Sequence, residues 1–164
     1  MAMPLVSSVL VAVDGGELTE TIAQYALRFS PETRVNFVCA VDPANFMTPA
    51  TAAIYGVEAE QNTAIEAAQR IVDGCVAEAE AAGLKAAAYV VEAAPVDAII
   101  DLAAKLDVDV IVMASHARHG FARLVLGSVA EGVARRANIP VLLVPAGLTE
   151  DDPSRHLHQI FKGL

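Results

Sequence analysis

The chain is predicted to be an α/β protein: a parallel sheet of five strands in a single domain, covered by helices on both sides. Three observations carry this. β-branched apolar runs of strand length alternate five times with amphipathic stretches of helix length. Several runs, such as VLVAV and VIVMA, are apolar on both faces, which a strand needs only where helices cover its sheet twice. Thirty-two alanines against eight aromatics imply close spacing between helices and sheet.

Taken in order, Ser7 to Asp14 reads as a strand that runs into the turn Asp14-Gly15-Gly16. Glu17 to Phe29 repeats Leu18, Ile22, Tyr25, Ala26 and Phe29 at helical spacing, and Pro31 helps to stop that helix. Arg34 to Val41 is the second strand, and Asp42 to Gly56, with two prolines, reads as an irregular crossing. Val57 to Ala82 places Ile65, Ala68, Ile71, Val72, Cys75 and Ala79 on one helical face, with Gly83 as its left-handed cap. Ala86 to Glu92 is the third strand. Pro95 opens a helix with Ile99, Ile100, Leu102, Ala103 and Leu106 as its apolar face. Val108 to Ala114 is the fourth strand, Ser115 to Leu126 a loop, Ser128 to Ala137 a helix and Pro140 to Pro145 the fifth strand.

Length and composition narrow the function. With 164 residues the chain fits one domain over residues 1–146 and a polar C-terminal tail over 147–164. An apolar share of 55% and a mean hydropathy of +0.47 exclude a disordered chain. No apolar run approaches the roughly 20 residues of a membrane helix, and MAMPLVSS has neither the basic region nor the apolar core of an export signal. The expected location is the cytoplasm, without membrane insertion. A net charge of −9 speaks against nucleic-acid binding. Cys39 and Cys75 form no CxxC pair and read as two reduced core thiols. Against the acidic background, residues 116–136 hold Arg118, Arg123, Arg135 and Arg136 with Glu131 alone. That basic island points to a local anion site.

Ala114 to Glu131 is the stretch where chemistry would sit. It leaves an apolar strand and enters a helix whose first turn is Ser128-Val129-Ala130-Glu131. A helix start offers unpaired N–H groups and a positive dipole end, Gly127 allows close approach, and Ser128 adds a hydroxyl. A second reading stands beside the anion site: Ser128 with Glu131 has the spacing of a capping box, which needs no ligand. Asp14 likewise has two readings, a ligand at the first strand's end or an Asx turn with Gly15 and Gly16.

His116 and His119 have no further ligands in sequence reach, and His156 and His158 read as solvated tail residues, so no metal is expected. There is no Gly-x-Ser-x-Gly elbow and no phosphate loop of the GxxxxGK[ST] type, and Gly15-Gly16 lacks the third glycine of a dinucleotide fingerprint. No catalytic set can be assembled. In the tail, Leu157, Ile160, Phe161 and Leu164 lie three and four apart, a face for docking on the chain's own domain, on a dimer mate or on a partner protein.

VAVDG near the start, VDVIVMASHARHG, and LGSVAEGVARRANIPVLLV near the end resemble the universal stress protein family over residues 5–145. The resemblance implies a Rossmann-like five-stranded parallel sheet of the nucleotide-binding α-hydrolase type in the order 3-2-1-4-5. It also implies a homodimer paired through the last strand, Val141 to Val144. One branch of that family binds ATP through a Gly-x-x-Gly loop ahead of a Gly-Ser pair; its two loop glycines fall on Ala114 and Ala117 here. The implied nucleotide site is Asp14, Val41, Ala114, Ala117, Gly127, Ser128 and Val129, for ATP or AMP, with Mg2+ only together with ATP. A β-carbon at the two loop positions blocks close approach of phosphate or strains a positive φ. The expected function is therefore a regulatory, nucleotide-binding stress protein without turnover. The alternative is a dimer without ligand that acts through protein partners.

Overall fold

The computed structural model describes residues 6–26, 28, 32–46, 57–115 and 127–145. The strands are β1 (Ser8–Ala12), β2 (Arg34–Val41), β3 (Lys85–Glu92), β4 (Val110–Ser115) and β5 (Val141–Pro145). The helices are α1 (Thr19–Ala26), α2 (Val57–Ala81), α3 (Pro95–Leu106) and α4 (Ser128–Arg136). A 3-10 turn, Pro43–Phe46, begins the segment read as irregular. All strand pairs are parallel, in the order β3-β2-β1-β4-β5. The order in which the chain adds strands therefore reverses between β1 and β4, as the resemblance implied.

Both sheet faces are covered, which is why the strands do not alternate in polarity. Val9, Val11, Val35, Phe37, Cys39 and Val112 point to one face, where Ile22, Ala23 and Ala26 of α1 and Ala68, Val72, Cys75 and Ala79 of α2 close over them. Leu10, Val38, Ile111 and Met113 point to the other, under Ile99, Leu102 and Ala103 of α3 and Ala130 and Val133 of α4. Asn36 is the polar exception on β2, 1% exposed. Its Nδ2 donates to Val9 O at 3.0 Å and to Ser8 Oγ at 3.2 Å, so its burial is compensated.

The helix ends follow from local chemistry. Gly83 takes φ +83°, and Leu84 N–H donates to Ala79 O at 3.0 Å, closing α2 with the left-handed cap expected of that glycine. α3 starts on Pro95 and ends at Asp107, a non-glycine residue in the left-handed region with φ 50°. β4 begins later than its apolar run: Asp109 stays outside the strand and turns its carboxylate onto the start of β1.

Candidate functional site

β1 ends where its chain must turn toward α1, and Asp14-Gly15-Gly16 makes that turn. Gly15 sits at φ +75°, and a β-carbon on it would lie 2.5 Å from Ile71 Cδ1 of α2. Asp14 is exposed, and its Oδ1 accepts from Gly16 N–H at 2.8 Å and from Thr19 Oγ1 at 3.4 Å. Thr19 Oγ1 in turn accepts from Gly15 N–H at 2.9 Å. The Asx turn is thus formed, and among the described residues Oδ2 of Asp14 takes no bond. The turn and a ligand role are compatible, because they use different oxygens. Thr19 escaped the sequence reading; only its distance of five residues from Asp14 hinted at it.

Val41 closes β2 and is 6% exposed, part of the core on the α1–α2 face. Only its backbone is available to a ligand. Ala114 lies in β4, half-buried against the same core. The described non-glycine residues with positive φ consist of Asp107 alone, so the backbone at Ala114 does not require glycine. Ala117 falls outside the described residues, as do Arg118, Arg123 and the four histidines.

At the start of α4 the capping-box reading fails. Gly127, with φ −63° and ψ 155°, is the N-cap and has no side chain to cap with; Ser128 is the first helical residue. The Glu131 carboxylate turns away to Arg135, whose Nε and terminal nitrogen lie 3.0 and 2.9 Å from Oε1. An i,i+4 ion pair has won over the cap, because Ser128 sits one position too far into the helix to receive it. Among the described residues no side chain caps the first N–H groups of α4, and Glu131 N–H makes the first helical bond, to Gly127 O at 2.9 Å. Ser128 is exposed and Val129 half-buried.

Ser115, placed in a loop by the sequence reading, is instead the last residue of β4. It is 2% exposed, and its Oγ has no hydrogen-bond partner among the described residues. The usable signal was its register: it follows Ile111 and Met113 at alternate positions, which turns it to the face that α4 covers.

Electrostatics keep the site's thiols inert. Burial pushes Cys75 up to about 11, and burial followed by the nearby Asp14 charge raises Cys39. Both are free and buried. No group of three or more metal-ligating side chains occurs among the described residues. A groove of ≈ 260 Å3 lined by Ser7, Ser8, Glu32, Arg34, Lys85 and Leu106 opens at the opposite, amino end of the sheet and takes no part in this site.

The carboxyl ends of β1 and β4 meet the start of α4 where strand order reverses, the switch point of a doubly wound α/β domain. The family model described as "Universal stress protein family" matches residues 6–145, and the chain belongs to that family. A universal stress protein of Methanocaldococcus jannaschii is 28% identical over 148 residues, covering 85% of this chain and 82% of that one. A crystal structure from the same family of Burkholderia pseudomallei matches with TM-score 0.70 and 28% identity, over 86% of this chain and 97% of that one. A universal stress protein solved in complex with cAMP matches with TM-score 0.60 and 25% identity, over 85% and 97%.

Proposed function

We propose that this chain is a regulatory binding protein of the cytoplasm that takes an adenine nucleotide, ATP or AMP, at the carboxyl edge between β1 and β4. The observation that carries the reading is the start of α4. Gly127 brings no side chain, Ser128 brings a hydroxyl, and the Glu131 carboxylate is neutralised by Arg135. An anion there meets N–H donors and the positive end of a helix dipole. Asp14 Oδ2 and the backbone end of Val41 serve the nucleoside, with Gly127, Ser128 and Val129 on the phosphate. A family member bound to cAMP supports adenine nucleotide as the ligand class. Mg2+ enters only with ATP. Turnover is not part of the reading, since among the described residues Glu131 is held by Arg135 and Asp14 is the one other carboxylate at the site; hydrolysis above background that is lost in Asp14→Ala would contradict it.

The test is to denature the purified protein and chromatograph what it releases. The expected result is ATP, ADP or AMP near one per chain, and loss of that nucleotide in Gly127→Leu. An empty extract, with no thermal shift in millimolar Mg-ATP, overturns the reading. Ala114 favours a second one, because its methyl group stands where the ATP-binding branch has none. On that reading the chain is a dimer that pairs through the β5 edge, Val141 to Val144, and acts through partner proteins, with the tail of residues 147–164 as a contact. Sedimentation equilibrium at twice 17.1 kDa is expected, and a monomer mass rejects the dimer.

A further inference from the structure

We propose that the groove at the amino end of the sheet is a ligand site that takes a small phosphate monoester, its phosphate held by Ser8, Arg34 and Lys85. It lies at the opposite end of the strands from the proposed nucleotide site and shares no residue with it. Strand register builds it. Ser8 of β1 pairs with Arg34 of β2, and Arg34 pairs with Lys85 of β3, so the three stand on one rung across adjacent strands. Neighbouring strands lie about 4.8 Å apart, and side chains alternate between faces along each strand. Leu10, Val38 and Tyr89, each an even number of residues further on, pack in the cluster under α3, which places the rung on that same face. Ser7, Glu32 and Leu106, the last residue of α3, complete the wall of the ≈ 260 Å3 groove.

Arg34 and Lys85 are both exposed, and like charges directly opposite on neighbouring strands repel. Among the described residues neither has a carboxylate partner; the ion pairs there are Glu131–Arg135 and Asp97–Arg136. The acids around the groove are engaged. Asp109 Oδ2 is held by Ser7 N–H, Ser7 Oγ and Ser8 N–H, and Glu32 has a partner of its own. The end of α3 closes on its own chain, Asp107 N–H donating to Ala104 O and Val108 N–H to Ala103 O. Ser8 Oγ accepts from Asn36 Nδ2 at 3.2 Å, and among the described residues its own proton goes undonated. A chain of net charge −9 thus keeps two adjacent cations and a hydroxyl donor on one wall. A phosphate monoester brings close to two negative charges and three terminal oxygens, which two cations and three donor groups match. A carboxylate brings one charge and two oxygens. Leu106 offers apolar surface to a short carbon skeleton, and the groove is smaller than the roughly 300–1,000 Å3 of pockets that enclose drug-sized ligands. The ligand is therefore smaller than a nucleotide.

The test follows backbone amide resonances of the full chain during titration with glycerol 3-phosphate. Glycerol, and sodium chloride at matched ionic strength, serve as controls. Saturable shifts are expected at Ser8, Arg34 and Lys85 with glycerol 3-phosphate and with neither control. Lys85→Gln and Arg34→Gln should each weaken that binding about tenfold, the effect of losing one charge-assisted hydrogen bond. Their ligand-free melting temperatures should hold or rise, because each substitution relieves the repulsion between the two cations. Shifts that chloride reproduces, or that gather at Ser128 and Val129 instead, overturn the site. So does an affinity unchanged in Lys85→Gln and Arg34→Gln; melting temperatures lowered by several degrees alongside that unchanged affinity would assign the two cations to the support of the fold.

Discussion

Asp109 shows how one exposed side chain organises the amino edge of the sheet. Its Oδ2 accepts from Ser7 N–H at 2.7 Å, Ser7 Oγ at 2.8 Å and Ser8 N–H at 2.9 Å, while Asp109 N–H donates to Ser8 O at 2.8 Å. These bonds tie the start of β1 to the start of β4, and the Ser8 and Ser7 donors hold the carboxyl below the ordinary aspartate range. A carboxyl whose pKa is lower folded than unfolded adds stability above its unfolded pKa, and that stability is lost as pH falls through the folded value. Urea midpoints should therefore decline as pH drops below about 4, and Asp109→Asn should flatten that decline; an unchanged slope would show the three bonds to be inconsequential. The run VDVIVMA did not reveal this role, because an aspartate one residue ahead of a strand looks the same whether its carboxylate meets solvent or a neighbouring backbone. By contrast, the Asx turn at Asp14 was legible, since its bond spans two residues and needs no tertiary partner.

Two glycines inside helices separate propensity from packing at the scale of elements. In α4, a β-carbon on Gly132 would stand 2.7 Å from Val96 Cγ2 of α3. In α2, Gly74 has nothing within 4 Å. Alanine gains about 1 kcal/mol of helix propensity at either place, but at Gly132 it meets an overpacking cost of about 1–3 kcal/mol. Gly74→Ala should raise the unfolding free energy and Gly132→Ala should lower it. Adding Val96→Ala should recover part of the loss at Gly132, a coupling that a double-mutant cycle measures; strict additivity would refute the contact. The helix-end contacts on this pair weigh less. Arg136 reaches Asp97 at 2.7 Å, but both are more than half exposed, so the pair contributes about 1 kcal/mol at most. Element types and order were readable because hydrophobic period is a local property. Boundaries were less so: β4 extends to Ser115 and begins at Val110, and the Ser128–Glu131 capping box gives way to the Glu131–Arg135 pair.

On the scale of the whole molecule, the proposed ligand contacts come from Asp14, Val41 and Ser128, which only the folded sheet assembles. The unfolded chain therefore has no matching site, and binding adds directly to stability. Nucleotide at a hundred times its dissociation constant should contribute about 2.7 kcal/mol, about 5–10 °C in melting temperature for a chain of this size. Scanning fluorimetry with AMP and with adenosine reads it, and no shift with either counts against the site. The sequence by itself determined the α/β class, the identities of the strands and helices among the described residues, the two-sided core and the family. Each of these rests on residue period, turn chemistry or motif, which neighbours along the chain encode. The 3-2-1-4-5 order, which the family resemblance had implied, is established only by the strand pairing. The tertiary structure alone decided that Gly127 and not Ser128 is the N-cap of α4, that Gly132 and Val96 leave no room between two helices, and that Ser115 is buried with no partner for its hydroxyl among the described residues. Those outcomes depend on which groups from distant parts of the chain compete for the same few ångströms, and no local pattern contains that competition.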